Sequence, residues 1–314
     1  MAWEGRNAVN KDKIVKYIKN PWRVVLPLSR QGWLNWVSDK QFLSMMYRAQ
    51  FGERLRWENP VTFSEKLQWI KLNDRNPIYS QMVDKYDAKL YAEERLEGKY
   101  IVPVLGGPWD SEDEIDFDAL PQQFVLKTTH DCGGVLICRN KDELNRDAAR
   151  RMMREHLQNN YYLHCREWPY KNVKPRVFAE KNLLEEDQTA EIKDYKFFTF
   201  NGEPRLMYIA SGRDYAKKDK QIVYADFFDM DFNHVDLCID HDNAPVCPPK
   251  PETFDEMVRC ARVLAQGTKH LRVDFYEVNG RLYCGELTFF HCGGLCPFKT
   301  PEWDEVMGSW ISLK

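Results

Sequence analysis

Two acidic residues near the C-terminal end of the chain have the spacing of a magnesium site. The segment LRVDFYEV, the turn NG and the segment RLYCGELTFF together predict a β-hairpin. Because side chains alternate along a strand, Asp274 shares a face with Arg272, and Glu286 shares a face with Thr288. Carboxylate and hydroxyl oxygens on neighbouring strands suit Mg²⁺. The spacing alone is equally compatible with a cross-strand ion pair on a solvated face.

A glycine-containing loop lies between two other predicted strands, in FVLKTTHDCGGVLIC. The first strand ends at Lys127, and the loop contains Gly133 and Gly134. Glycines let backbone N–H groups approach a phosphate closely, and the lysine supplies a point charge. An ordinary glycine hairpin would give the same pattern.

Charged residues also occur within and after strands further along the chain. In DYKFFTFNG, Lys196 lies in mid-strand among aromatic residues, where it either reaches a phosphate or snorkels at the surface. Arg213, after MYIAS, poses the same choice. The strand VFAEKNL leads into Glu185, Glu186 and Asp187, where a carboxylate could bind ribose hydroxyls or could simply mark a surface strand end.

The elements that would position these residues form an α+β pattern. Thr62 followed by Glu65 is a capping box and predicts a helix start at about residue 63. A second helix is predicted from Pro77 to about Leu96, with Gly98 as its stop. After residue 100 the pattern predicts short strands, with helices over residues 142–162 and 253–268 between them.

Composition bounds the class of protein. The chain has 314 residues, of which 43% are hydrophobic, enough for a sizeable core, and its net charge of −3 argues against a nucleic-acid partner. No apolar run reaches the length of a membrane span, and no signal peptide is recognisable, so we expect a cytoplasmic protein with reduced thiols. The group His291, Cys292 and Cys296 raises zinc as an alternative, but its spacing matches no usual zinc pattern.

The N-terminal region is basic and rich in aromatic residues. Residues 1–56 contain eleven Lys/Arg and four Asp/Glu, a local balance of +7. The interleaved aromatic residues are Trp3, Trp22, Trp33, Trp36 and Phe42. They predict either a helical cap that packs on the main body, or a surface for peripheral contact with anionic lipid or a lipid-linked substrate.

In this order the segments resemble the ATP-grasp superfamily. Long phrases resemble its TupA-like branch, known from polysaccharide and teichuronopeptide gene clusters: NPVTFSEKLQWIKLNDRNP, LPQQFVLKTTHDCGG, REWPYKNVKPRVFAEKNL, DYKFFTFNGEPR and RVDFYEVNGRLYCGELTFF. The resemblance covers about residue 40 to the C-terminus. It implies an ATP-grasp fold with a helical N-terminal region (1–80), a small lobe with the glycine loop (81–180) and a large lobe with the magnesium hairpin (181–314).

The resemblance also implies roles for individual residues. Those that would bind ATP are Lys85, Lys127, His130, Gly133, Gly134, Glu180, Lys181, Leu183 and Asp187. Those that would act in catalysis are Lys196, Arg213 and Arg272, and those that would hold Mg²⁺ are Asp274, Glu286 and Thr288. Thr288 departs from the superfamily pattern, which usually has asparagine there.

The implied function is an ATP-dependent carboxylate–amine ligase that acts through an acyl phosphate, on carboxylate and amine substrates that are polysaccharide- or lipid-linked. The first alternative is an ATP-grasp kinase that phosphorylates a sugar or small molecule. A second is a glycosyltransferase that uses an Asp-x-Asp at Asp229 and Asp231 or at Asp116 and Asp118. A third is a non-catalytic scaffold.

Overall fold

Five helices lead the described part of the chain. The computed structural model describes residues 18–183, 193–212 and 223–314. Helices α1 to α5 span Val25–Arg30, Asp39–Phe51, Phe63–Asn73, Ile78–Val83 and Asp87–Arg95. The first two pack with Leu295 in a small apolar cluster of their own. Helices α3 to α5 instead contribute to the main core.

Side-chain caps set the ends of these helices. The predicted capping box at α3 is confirmed, because Thr62 accepts from the Glu65 backbone N–H and the Glu65 carboxylate accepts from Thr62. The single helix predicted from Pro77 to Leu96 is wrong in one respect, since the structure divides it into α4 and α5. Asp84 adopts an extended backbone, and its carboxylate accepts from the N–H groups of Tyr86 and Asp87 at 2.9 Å each, which starts a new helix.

A four-stranded antiparallel sheet forms the first β-layer. Its strands are β1 (Val104–Trp109), β2 (Phe124–Thr128), β3 (Val135–Cys138) and β4 (Val177–Glu180), in the order β1–β4–β2–β3. Helix α6 (Arg146–Leu157) packs on this sheet through Ala149 and Met153. The helix predicted over residues 142–162 is shorter than expected, because the Asn145 side chain caps α6 and a separate turn, α7 (Tyr162–Cys165), follows.

A six-stranded antiparallel sheet forms the second β-layer, in the order β10–β9–β5–β6–β7–β8. The strands are β5 (Asp194–Phe200), β6 (Glu203–Ser211), β7 (Tyr224–Phe228), β8 (His234–Val235), β9 (His270–Val278) and β10 (Arg281–Thr288). Helix α8 (Phe254–Leu264), helix α9 (Glu302–Ser309) and helices α3 to α5 share its core. The predicted hairpin is confirmed as β9–β10, and its NG turn has φ values of 52° and 68°.

Short 3₁₀ helices complete the chain at Pro21–Val24, Glu112–Glu114, Lys141–Glu143, Trp168–Asn172 and His291–Gly294. The α+β class is therefore confirmed, whereas the lobe boundaries at residues 80 and 180 stay a prediction. Among the helices of the described ranges, none combines the length and the apolar character needed to cross a bilayer.

Candidate functional site

A cleft of about 320 Å³ lies where the two sheets meet. Charged residues from both sheets and from helix α5 line it together with apolar side chains. The charged or amide lining residues are Lys85, Lys89, Lys127, Glu180, Lys181, Asn182 and Glu286. The apolar ones include Val135, Ile137, Phe178, Leu183 and Tyr276, which make a wall suited to a flat ring.

Glu180 joins two lysines at the base of the cleft. Its carboxylate forms an ion pair with Lys127 of β2 and another with Lys89 of α5, at 2.8 Å. Burial raises the pKa of Glu180, but the two ammonium groups outweigh burial and hold that pKa at about 2. Burial lowers the pKa of Lys127, but the charges of Glu180 and then Glu286 raise it above its ordinary value. These three side chains therefore carry a net charge of about +1 at neutral pH.

Lys85 lies in the break between α4 and α5. Its ammonium group donates to the Asp131 carbonyl, and its backbone N–H donates to the Thr129 carbonyl at 2.8 Å. Arg176, the residue before β4, holds the same break through ion pairs with Asp84 at 2.9 Å and Asp87 at 2.8 Å. The break thus ties Lys85 to the glycine loop.

The glycine loop is held by the buried side chain of Asp131. Thr128 donates to one of its oxygens, and His156 contacts the other at 2.5 Å. Burial raises the pKa of Asp131, but Thr128 and His156 lower it below its ordinary value. Gly134 is required here, because a Cβ would lie 1.8 Å from the Thr128 hydroxyl oxygen. Glycine at this position therefore lets the loop pack against Thr128 and Asp131. Gly133 and Gly134 are not among the residues that line the cleft, and their contact with ATP stays a prediction.

His130 does not belong to the set of residues that line the cleft. It is buried, and its Nε2 lies 3.0 Å from the Asn159 carbonyl oxygen. Burial lowers the pKa of His130. It therefore supports the loop from behind, and its contact with ATP stays a prediction.

An irregularity in the β9–β10 hairpin places Glu286 in the cleft. Cys284 pairs with Phe275 and Leu287 pairs with Val273, so Gly285 and Glu286 together oppose the single residue Asp274. A Cβ on Gly285 would lie 2.9 Å from the Tyr276 ring and 3.0 Å from the Asp274 carbonyl oxygen. Only glycine fits without a shift of these neighbours.

Asp274 is enclosed by two cations. Lys196 lies directly opposite on β5, with its Nζ 2.6 Å from Oδ2. Arg272 donates to both oxygens, from Nε at 2.7 Å and from Nη2 at 2.8 Å. Burial raises the pKa of Asp274, but Arg272 and Lys196 hold it below its ordinary value. Lys196 is buried, so the snorkelling alternative does not apply.

Arg272 is fixed on every side. Besides Asp274, it donates to the Thr288 hydroxyl at 3.1 Å and lies 2.8 Å from Nδ1 of His291. A guanidinium has five N–H donors. Four are used in these contacts, so among the described residues one N–H on Nη1 has no partner and can meet a ligand.

Glu286 is the acid that remains available for a metal. Within residues 18–183, 193–212 and 223–314, no hydrogen bond or ion pair occupies its carboxylate. Contacts with the described residues leave Asp274 one unused lone pair. Mg²⁺ characteristically takes one or two carboxylates plus phosphate oxygens and water. The donors therefore fit Mg²⁺, with Glu286 as the main ligand. The Thr288 hydroxyl already accepts from Arg272.

The predicted adenine contacts lie at the exit of β4. The Lys181 N–H donates to the Pro103 carbonyl at 2.9 Å, and Leu183 is buried beside Val278 and Tyr283. Arg213 and Asp187, together with Glu185 and Glu186, lie outside the described residues. The roles assigned to all of these residues stay predictions.

Sequence analysis missed Lys89, which binds Glu180 and lines the cleft. The available signal was its spacing of four residues from Lys85, which would put the two lysines on one face of a continuous helix. That signal was weak because such pairs are common on exposed helix faces.

Two alternative sites find no support in the geometry. Among the described residues, no group of three or more His, Cys, Asp and Glu side chains is arranged to hold a metal, which counts against the zinc site. Asp229 accepts from the N–H groups of Asp231 and Asn233 within its own turn, at 3.0 and 2.8 Å. Asp116 accepts from the Asp118 N–H in the same way, at 3.0 Å.

Comparison with known proteins identifies a family. The model of the family described as TupA-like ATPgrasp matches residues 65–312. No protein among the curated sequences matches the chain.

Solved structures with a similar arrangement include ATP-grasp ligases. D-alanine–D-alanine ligase from Bacillus anthracis, complexed with ATP, is 16% identical over 66% of this chain and 53% of its own, with a TM-score of 0.36. D-alanine–D-alanine ligase from Helicobacter pylori is 15% identical over 74% of this chain and 61% of its own, with a TM-score of 0.42. The ATP-grasp ligase PsnB, complexed with minimal precursor, Mg and ADP, is 12% identical over 84% of this chain and 65% of its own, with a TM-score of 0.36. The chain thus spans less than two thirds of each, and we infer no activity from these likenesses.

Proposed function

Because the chain belongs to the TupA-like ATP-grasp family, we propose that it uses ATP and Mg²⁺ to activate a carboxylate and join it to an amine. The observation that most supports this proposal is that Lys127 of the first sheet and Glu286 of the second line the same cleft. A cation and a carboxylate that has no partner among the described residues, both lining one cleft, suit a nucleotide phosphate and its metal.

The first step is transfer of the γ-phosphoryl group to a carboxylate oxygen of the substrate. Catalysis of such a transfer consists largely of positioning and charge compensation. The group Lys89–Glu180–Lys127 pairs two cations with one carboxylate, so it presents net positive charge to the phosphates. Lys196 and Arg272 share Asp274, and Lys196 also pairs with Asp194 at 3.5 Å, so these four side chains are balanced in charge. Mg²⁺, held by Glu286 and Asp274, would neutralise further phosphate charge.

The second step is attack of an amine nitrogen on the carbonyl carbon of the acyl phosphate. The C–N bond forms, the C–O bond to the phosphate breaks, and phosphate leaves. Negative charge develops on the carbonyl oxygen during attack. Arg272 suits its stabilisation, because its contacts with Asp274, Thr288 and His291 fix the guanidinium and, among the described residues, leave one N–H donor unused.

The substrate class follows from the family rather than from the cleft. We propose a uronic acid or another sugar-linked carboxylate as acceptor of the phosphoryl group, and an amino-acid-like amine as nucleophile. The product would be a modified cell-surface polysaccharide or its precursor.

A trapping assay tests the proposal. The purified chain is incubated with ATP, Mg²⁺, hydroxylamine and one of a panel of carboxylates that includes glucuronate, galacturonate and glutamate. We expect ADP and a hydroxamate, because hydroxylamine intercepts an acyl phosphate. ADP with a stable phosphorylated sugar and no hydroxamate would support the kinase instead. Absence of any carboxylate-dependent ADP release across the panel would contradict the ligase.

The exposed aromatic residues in the turn between helices α1 and α2 suggest where the protein binds a lipid-linked substrate. Phe42 is buried, but Trp33 and Trp36 are 66% and 84% exposed. Arg30 and Lys40 lie close to them in sequence. Amphipathic aromatic rings with neighbouring cations suit the headgroup region of an anionic bilayer. We propose that this surface contacts the membrane peripherally.

Co-sedimentation with vesicles tests the membrane contact. We expect binding to vesicles that contain phosphatidylserine, weaker binding in high salt, and loss of binding in a Trp33→Ser, Trp36→Ser double variant. Val246, which is 81% exposed, offers a control in Val246→Ser. Equal sedimentation of the double variant and the control would contradict the proposal.

A further inference from the structure

Glu167 is a buried acid that the steps above do not use. It follows Arg166, whose backbone is left-handed (φ 53°), and only 4% of its surface is exposed. Across residues 18–183, 193–212 and 223–314, its side chain has no hydrogen bond or ion pair. A buried carboxylate without a partner is costly, so its retention needs a reason.

The position of Glu167 connects it to the catalytic hairpin. Its Oε1 is 3.6 Å from the point where a Cβ on Gly293 would lie, in the 3₁₀ turn His291–Gly294 that follows β10. His291 in that turn contacts Arg272. The charges of Glu286 and Arg272 both act on Glu167. The acid therefore lies beside the turn whose His291 contacts Arg272.

The segment that carries Glu167 is fixed from two directions. Arg166 donates to the carbonyls of Leu34 and Asn35 at 3.1 and 3.2 Å, which ties the segment to the N-terminal helices. Lys71 is fully buried, and its Nζ donates to the carbonyls of Cys165 at 2.9 Å and Gly293 at 2.6 Å. The carboxylate is thus held in place by its backbone, not by a side-chain partner.

The charge of Glu167 acts on two tyrosines, Tyr161 and Tyr170. The rings of Tyr161 and Tyr170 meet edge to face at 4.7 Å between centroids. Burial, followed by the charges of Glu286 and Glu167, raises the pKa of Tyr170, so its phenol stays neutral. A carboxylate beside aromatic rings suits a small organic cation.

We propose that Glu167 binds the ammonium group of the amine substrate and accepts a proton from it before attack. This inference depends on the proposed ligase function. The ammonium transfers one proton to Glu167 and becomes a neutral amine. The amine nitrogen then forms the C–N bond as the C–O bond to phosphate breaks, and its second proton leaves with the phosphate.

The electrostatics of the site are compatible with this role. Burial raises the pKa of Glu167, Lys71 and Arg272 lower it, and Glu286 and Cys292 raise it, with a net value of about 7. A base with a pKa near the working pH is effective in proton transfer.

A comparison of two nucleophiles tests the proposal. Hydroxylamine is uncharged at neutral pH and needs no proton acceptor before attack, whereas an aliphatic amine arrives protonated. We expect Glu167→Gln to form hydroxamate at the wild-type rate, and to couple glycine or lysine to the same carboxylate about 10²–10⁴ times more slowly. Raising the pH should restore coupling in part. Glu305→Gln, at an exposed glutamate of α9, should behave as wild type.

If Glu167→Gln lowered the rate equally with both nucleophiles, or with neither, the role of Glu167 would be overturned. A wild-type protein that makes no hydroxamate would instead contradict the ligase function.

A second measurement needs no substrate and no variant activity. Carboxyl ¹³C NMR of glutamate-labelled protein should show a resonance that titrates near neutrality, is missing in Glu167→Gln, and shifts with ethylammonium chloride. A resonance whose chemical shift does not change when ethylammonium chloride is added would overturn the proposal.

Discussion

Lys196 lies directly opposite Asp274 across strands β5 and β9, and the two side chains form a buried ion pair of 2.6 Å. The same carboxylate accepts two hydrogen bonds from Arg272. Asp274 therefore organises two cations of the site, in addition to any contact that it makes with a metal.

Asp274→Asn should consequently lower stability as well as activity. Loss of one partner from a buried ion pair typically costs about 3–5 kcal/mol, because the remaining charges lose their compensation. We expect a lower free energy of unfolding by denaturant together with loss of ADP release. Asp255→Asn removes an exposed ion pair with Lys250 and should leave stability nearly unchanged. An Asp274→Asn protein as stable as wild type would contradict the organising role.

Glu286→Gln should affect turnover alone. The carboxylate has no partner among the described residues, so its neutralisation removes no native contact there. If it holds the metal, its loss should raise the barrier by roughly 2.7–4 kcal/mol, about 10²–10³-fold in rate. Steady-state ADP release and the thermal midpoint of unfolding measure the two effects. A fully active variant would refute the metal assignment.

Lys127→Met should weaken the protein more at neutral pH than at low pH. Glu180 has a pKa of about 2 instead of 4.5, so its stabilising contribution is present above pH 4.5 and is lost as the pH falls towards 2. The shift of the Glu180 pKa from 4.5 to about 2 corresponds to about 3 kcal/mol of folding stability. Without Lys127, burial should raise this pKa, so the variant should lose part of that stability. Denaturant unfolding at pH 7 and pH 3 should show the gap between variant and wild type narrowing at the lower pH.

Lys99→Met is the matched control, because Lys99 makes an exposed ion pair of 3.6 Å with Glu97. If the difference in unfolding free energy between Lys127→Met and wild type did not change with pH, the low pKa of Glu180 would not depend on this lysine.

Glu167→Gln should have the opposite pH dependence. The pKa of Glu167 is raised from 4.5 to about 7, so the folded state loses stability as the pH rises from 4.5 through 7. Lys71, Arg272, Glu286 and Cys292 are the charged groups that act on it. Glutamine cannot ionise. The free energy of unfolding of the variant should therefore rise relative to that of the wild type between pH 5 and pH 8, by about 3 kcal/mol. Unfolding free energies at these two pH values, without Mg²⁺, measure the effect.

Sequence patterns predicted the parts of the site that depend on local rules. The capping box at Thr62 and Glu65 and the hairpin turn at Asn279 and Gly280 are both set by interactions within a few residues. Strand alternation also placed Arg272 and Asp274 on one face of a strand, where the two side chains contact each other.

The remaining parts depend on contacts between distant segments. The irregularity at Gly285 and Glu286 arises from the fit of β10 against Tyr276 and the Asp274 backbone, which no pattern of residue types reveals. No sequence pattern singles out Glu167, because its burial depends on the distant turn at Gly293 and on Lys71. The helix break that carries Lys85 likewise needed the cap supplied by Asp84.

The most direct test of the whole account is a crystal structure of the chain with Mg²⁺ and a non-hydrolysable ATP analogue. The account predicts the adenine against Phe178 and Leu183, the phosphates beside Lys127, and the metal bound to Glu286. A nucleotide bound outside this cleft, or a metal without Glu286 among its ligands, would contradict it.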